Sequence, residues 1–313
     1  MSRNSQPILI TGAPRSGTTF LGRMLSLPRN IAFVDEPLNL QTGIAGVDQQ
    51  FVYIGDDTPR LEKKYGPLLK DLLSGRSIYK KSVLSAKDAT VVNRVGRRLF
   101  NSRTGFDYRV NALNPLKSRL LIKDSIACFA SEYMHRHLDV AVVVIIRHPA
   151  STIASYKRLD WHFGLDELTN QKELMQRYLA PILSGLDLSS LSQIEAWSYF
   201  WLSIYTVLDD YLARNPDFFL IRHEDLSLAP IPNFKELYDN LHMPFTPAIR
   251  SEIVRHTHAD NPIHPPNNVV HALKRNSAEN IYRWKEILTA TEINRIKEIT
   301  GPLAAKYYAD NEW

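Results

Sequence analysis

The stretch "ILITGAPRSGTTFLGRML", residues 8 to 25, constrains this chain more than any other part of it. An apolar run, a glycine loop and a run of helical period follow one another without interruption. That order aims the first N–H groups of a helix at one point, where unsatisfied donors and the helix dipole favour an anion. Gly12, Pro14 and Gly17 could serve only as a tight turn, but the context of strand, loop and helix argues for a phosphate cradle. The loop nevertheless departs from G-x-x-x-x-G-K-[ST]. Gly17 is followed by Thr18 and Thr19, and the nearby cation is Arg15, inside the loop.

Further apolar runs repeat the pattern. "PILIT", "IAFV", "RLLIK", "VAVVVIIR" and "FFLIR" read as strands buried on both faces. Stretches of helical period lie between and after them, at "TTFLGRMLSL", "SIACFASEYMHRHL", "PASTIASYKRL", "LSQIEAWSYFWLSIYTVLDDYLARN", "IPNFKELYDNL" and "TATEINRIKEITGPLAAKYY". The alternation predicts a three-layer α/β/α fold with a central parallel sheet of the P-loop nucleotide-binding type. With no repeats and no low-complexity linker, residues 1–313 read as one domain. Residues 37–117 are too long for a crossover and are expected to form a helical insertion on the substrate side. Residues 256–280 form a Pro/Asn/His-rich loop, expected to act as a lid or nucleotide loop.

Composition narrows the function. An apolar fraction of 44% supports a real core, and no apolar run approaches the roughly 18 to 20 residues of a spanning helix. The first glycine comes too early for a secretory segment, so a cytoplasmic protein is expected. The single cysteine, Cys128, cannot form an intrachain disulfide and reads as a small core residue. A formal charge of +5 does not repel anionic ligands. The densest basic run, "NRVGRRLFNSR" at 93–103, reads as a solvated helix face; it lacks the interleaved aromatics that nucleic acid would need.

Nucleoside triphosphate chemistry also needs Mg²⁺, held in part by an acidic residue at a neighbouring strand end. Here "VAVVVIIR" ends in Arg147, which would repel a metal and attract an anion. Ser155 follows eight residues later, with Pro149 suited to the first turn of the intervening helix. The arginine fork, the helix N-terminus and the serine hydroxyl can therefore converge on one phosphate. Two anion sites at the carboxyl ends of parallel strands imply a nucleotide phosphorylated at both ends of its ribose and held without a metal.

With these residues in view, the chain resembles the sulfotransferases that use 3′-phosphoadenosine 5′-phosphosulfate (PAPS), and in its motifs especially the tyrosylprotein, carbohydrate and bacterial types. "APRSGTT" is similar to their loop for the 5′-phosphosulfate, and "IIRHPASTIAS" to their element for the 3′-phosphate. "IRHEDL" resembles their Y-E-D-L strand end and "RWKEIL" their W-K-x-x-L segment. The resemblance implies PAPS as co-substrate, no metal, and a small-molecule or saccharide acceptor. Pro14, Arg15, Ser16, Gly17, Thr18 and Thr19 would cradle the 5′ end, with Arg15 on the phosphate and bridging oxygen, while Arg147 and Ser155 would hold the 3′-phosphate. Lys123, in "LLIKDS", is similar to a lysine that stabilises the transition state in tyrosylprotein-type members.

An acceptor hydroxyl needs a general base. Glu36, in "VDEPLNL", matches the family's base in spacing and context; Asp35 is its rival, and either could instead cap a helix starting near Pro37. His223 stands where the family commonly has tyrosine, as a contact to adenine or a packed strand end. Lys274 and Arg275 are a loose match to the family's R-K-G on the 3′-phosphate. His256, His258, His264 and His271 lack the spacing of a zinc site, and Trp197, Tyr199 and Trp201 read as core. Two other readings stay open at this level: a P-loop kinase, and a non-catalytic nucleotide-binding protein that would tolerate loss of Glu36.

Overall fold

Each of the five apolar runs forms a strand: β1 (Ile8–Thr11), β2 (Ile31–Asp35), β3 (Arg119–Lys123), β4 (Ala141–Ile146) and β5 (Phe219–Arg222). In the computed structural model, which describes residues 5–81, 102–161, 164–258 and 281–313, they make one parallel sheet in the order β2-β3-β1-β4-β5. β1 and β4 are interior to this order and buried at every residue, which is why they read as unbroken apolar runs. β5 is an edge strand, and its Leu220 is exposed. The fold class expected from the sequence is the one observed.

The chain divides into two compact units. The first comprises Met1–Thr11 and Leu21–Val143, the second Gly12–Phe20 and Val144–Trp313. In the first unit β3 pairs with β1 through Ile8↔Leu121 to Ile10↔Lys123, and with β2 through Ile31↔Arg119 to Asp35↔Lys123. The helix after the glycine loop, α1 (Thr18–Leu25), spans the boundary. Within residues 37–117 the described part holds two helices, with residues 37–58 in turns and irregular backbone: α2 (Pro59–Leu73) opens on a proline at its first turn and buries Tyr65, Leu69 and Leu72, and α3 (Arg103–Leu113) is capped by the Ser102 side chain. The helix anticipated from Ser125 begins later, as α4 (Ser131–Leu138), after a 3₁₀ turn at Cys128–Ala130. The Asp124 carboxylate accepts the Ile126 N–H at 2.9 Å and holds that segment in a turn. Cys128 is fully buried.

The second unit is built on α5 (Pro149–Arg158) and α6 (Gln193–Arg214). A Ser192–Glu195 capping box starts α6. Its buried residues include Trp197, Phe200, Trp201, Ile204 and Tyr205, so it is a core helix; Trp197 and Trp201 are core residues as expected, and Tyr199 is half-buried. After β5 come α7 (His223–Leu228), α8 (Pro230–Asn240), α9 (Pro247–Thr257) and α10 (Ala290–Ala304). The last ends at Ala304, short of the expected Tyr308, with Pro302 inside it. No described helix is long and apolar enough to cross a membrane. Nearly all of the basic run at 93–103, and His264, His271, Lys274 and Arg275 within the 256–280 loop, lie outside the described residues.

Candidate functional site

In the second unit the glycine loop is shaped by close approach. Gly12 has φ +149°, and a Cβ there would lie 2.2 Å from the Ile145 carbonyl oxygen. Gly17 has φ +104°, and its Cβ would lie 2.6 Å from the His223 ring. Between them Arg15 adopts φ +68°, a left-handed conformation that a side-chain-bearing residue holds only where its surroundings enforce it. The enforcing contacts are aromatic hydroxyls. The Ala13 N–H donates to Tyr205 Oη at 3.1 Å, that hydroxyl donates to the Ile145 carbonyl at 2.9 Å, and the Tyr156 hydroxyl donates to the Pro14 carbonyl at 2.7 Å. Arg147 Nη1 donates to the Arg15 carbonyl at 3.1 Å, and Trp201 Nε1 to the Arg147 carbonyl at 3.1 Å. Tyr156 and Tyr205 were not singled out from the sequence; each reads there as one more apolar helix position.

The structure brings Arg15, Arg147 and Ser155 into one pocket. Arg15 Nε donates to Ser155 Oγ at 3.2 Å and its guanidinium lies 5.8 Å from the Trp161 ring. From their motifs, Arg15 and Ser155 are expected at opposite ends of a nucleotide. Arg147 Nε and Ser16 Oγ are buried without hydrogen-bond partners, and burial holds the Arg147 pKa below the usual arginine range. The pocket holds about 390 Å³ of free space, part of it open to solvent; Arg158 and Arg283 also line it. Four guanidiniums and no carboxylate stand among its described lining residues. The donors left over and the net positive charge suit an anion with several acceptor oxygens.

His223 opens α7 with its ring against Gly17, so it packs on the loop. The neighbouring Glu224 is turned to structural use. It accepts the His148 N–H at 3.0 Å and the Tyr308 hydroxyl at 3.1 Å, and burial pushes its pKa up. Thr18 is buried and Thr19 half-buried at the start of α1. His256 pairs with Glu252 at 3.0 Å, and no group of three or more potential metal ligands occurs among the described residues.

In the first unit the candidate base and the candidate lysine meet. Lys123 Nζ lies 2.6 Å from Glu36 Oε1 and 3.1 Å from Asp35 Oδ1, with the lysine side chain only 4% exposed. Burial opposes charge on Lys123, but the two carboxylates outweigh it and raise the lysine's pKa. Lys123 is therefore no exposed strand terminus. Glu36 follows β2 at φ +44°, its N–H donating to the Lys123 carbonyl at 2.8 Å. No helix begins at Pro37, so neither carboxylate caps one. Asp124, missed in the sequence, accepts the Leu38 N–H at 2.8 Å as well as that of Ile126, and so fixes the chain on both sides of the cluster. It is fully buried, and burial, then the Glu36 charge, push its pKa up to about 7.

Comparison with known proteins agrees with this chemistry. No curated protein matches the chain. Among solved structures it is similar to the sulfotransferase domain of a Synechococcus olefin synthase, at 17% identity over 96% of this chain and 94% of that one, with a TM-score of 0.49. The sulfotransferase domain from the curacin biosynthetic pathway gives 17% identity over 94% and 96%, TM-score 0.45. A mouse sulfotransferase complexed with PAP gives 12% over 98% and 87%, TM-score 0.42. Each of the three is a likeness alone. The sulfotransferase domain family model matches residues 5–308, which takes in both the guanidinium pocket and the Lys123 cluster. The chain belongs to the sulfotransferase domain family, and its chemistry is sulfuryl transfer.

Proposed function

We propose that this protein transfers a sulfuryl group from PAPS to a hydroxyl of a saccharide or another polar small molecule. The observation that carries the donor half is the pocket of guanidiniums without a carboxylate, in which Arg147 Nε is buried and unpartnered. The close approaches at Gly12 and Gly17 leave no room for a side chain at either position, which suits a tight loop that folds around a phosphate. PAPS, when bound, supplies the sulfuryl group. Arg147 and Ser155 hold its 3′-phosphate, and Pro14 to Thr19 cradle its 5′ end. Arg15, on the loop yet hydrogen-bonded to Ser155, links the two halves and neutralises charge on the departing phosphate. His223 braces the loop at Gly17, and Lys274 and Arg275 are further candidates for the 3′-phosphate. These cations do the work that a metal does in triphosphate chemistry, and none is required.

Glu36 takes the proton from the acceptor hydroxyl, and Lys123 stabilises charge in the transition state while holding Glu36 in place. Asp35 stays the alternative base. Asp35 and Glu36 present partly exposed carboxylates, 45% and 32% accessible, beside the Asn39 amide that donates to Glu36 at 3.3 Å. Such a surface offers acceptors to a polyhydroxylated compound and little to an apolar one. A cytoplasmic location accords with the lone buried cysteine.

The test is transfer of radiolabelled sulfate from PAPS to a panel of saccharides and polar metabolites, with and without EDTA. Labelled product that survives EDTA supports the reading. Strict Mg²⁺-dependent phosphorylation from ATP without sulfate transfer would sink it. Tight nucleotide binding with no transfer to any acceptor would favour a binding protein.

A further inference from the structure

Two guanidiniums of the pocket in the second unit, Arg158 and Arg283, have no part in the chemistry above. Arg158 is the last residue of α5, and Ser151, Ser155 and Arg158 stand at i, i+4 and i+7, one stripe of that helix facing the pocket. Arg283 enters the same pocket from the turn before the short helix Trp284–Ile287. Burial, then the charge of Arg283, hold the Arg158 pKa below the usual arginine range. The two like charges therefore feel one another, with no carboxylate between them among the described lining residues. Like charges gathered in a pocket are offset when an anion binds there.

The charge and oxygen count of a phosphomonoester fits what remains unmet. Such a group carries between one and two negative charges at neutral pH and presents three acceptor oxygens. Arg147 already uses Nη1 on the Arg15 carbonyl, and Ser155 Oγ already accepts from Arg15. Arg147 carries one positive charge and Ser155 none, so a dianion held by these two residues alone is short of one countercharge.

We propose that Arg158 and Arg283 read the 3′-phosphate as a dianion, making them specificity residues that select a 3′-phosphorylated nucleotide over one with a free 3′-hydroxyl. This rests on the donor reading above. A neutral hydroxyl at that place leaves the two guanidiniums opposed to each other, so the pocket discriminates by what it leaves unpaired as much as by what it binds.

Calorimetric titration with adenosine 3′,5′-bisphosphate and with adenosine 5′-monophosphate, at one ionic strength, tests this on the full chain. The unaltered protein should prefer the bisphosphate by about a hundredfold or more, since each charge-assisted bond lost is worth roughly tenfold. Arg283→Gln and Arg158→Gln should each weaken the bisphosphate by about tenfold and leave the monophosphate unchanged, with Arg283→Lys falling between. Thermal melts without nucleotide should stay at or above the unaltered value, because repulsion is relieved. Bisphosphate binding with the preference intact in both glutamine variants overturns this inference and spares the donor reading. Failure of the unaltered protein to bind the bisphosphate overturns the donor reading itself. Equal loss of both ligands, with a lowered melt, makes the arginines structural and overturns the inference.

Discussion

The guanidinium pocket of the second unit and the Lys123 cluster of the first solve opposite electrostatic problems. In the pocket, four arginines share space with no described carboxylate, and Arg147 Nε is buried without a partner. No carboxylate of its described lining offsets these charges. In the cluster, one buried lysine is matched by Glu36 and Asp35 at 2.6 and 3.1 Å. Its lysine is compensated from within, with one carboxylate charge in excess, so the cluster offers acceptors rather than attraction to an anion. The difference sets where function and stability part company: a pocket arginine opposes the fold's stability and serves the ligand, whereas a cluster carboxylate serves both.

The sharpest attempt to break this contrast is Arg15→Ala. Transfer should fall on the order of a thousandfold, because a preorganised cation is lost where charge develops, while unfolding free energy stays within about 1 kcal/mol of the unaltered chain. Unchanged turnover would remove the cradle from the mechanism. Glu36→Gln should reduce the rate of transfer by roughly a hundredfold with nucleotide affinity held. It should also lower stability by about 2 kcal/mol, less than the roughly 3–5 kcal/mol of a fully buried pair, because Asp35 remains and Glu36 is partly solvated. Denaturant melts beside single-turnover rates check both, and a rate loss without a stability loss would mean that the lysine does not depend on Glu36.

Gly17→Ala asks whether the pocket binds through charge alone. The strained φ and the approach to His223 should weaken nucleotide binding by about tenfold and stability by roughly 1–3 kcal/mol; full affinity in equilibrium binding would show that loop shape is dispensable.

The smallest effect on transfer is expected at Asp124, where the change is one of stability. Its folded pKa, about 7, lies above the unfolded value, so its contribution to stability is fully present below about pH 4 and is lost as pH rises through 7. Stability should decline across that window by up to about 1.4 kcal/mol per pH unit from this group. Asp124→Asn should flatten the slope, although it lowers stability throughout because its amide confronts a backbone N–H that the carboxylate accepted. A slope that persists in the variant would assign the titration elsewhere.

Much of the anion site was legible in the chain because its residues act through local order. Gly12, Arg15 and Gly17 follow one strand, and Arg147 directly follows β4 while Ser155 lies in the second turn of α5, so spacing alone predicts their direction. Arg158 continues the stripe of Ser155 on α5 and could have been found by the same periodicity. Arg283 could not, since it comes to the pocket with Trp284 and Ile287 from a segment more than 120 residues beyond Ser155. Tyr156 and Tyr205 were hidden differently: their rings are core, and only their hydroxyls reach the loop and strand end. Asp124 is one of many acids in the chain, and its burial against two backbone N–H groups leaves no mark in composition.

Short-range order in the amino-acid sequence was enough to establish the alternation of strands and helices, the parallel sheet and the glycine loop, because apolar period and turn chemistry act over a few residues. Three-dimensional packing alone decided that Arg15 bonds Ser155, 140 residues away, that Lys123 is buried between two carboxylates, and that four guanidiniums share one pocket. Charge balance is a property of distance through space, and only the folded chain sets those distances.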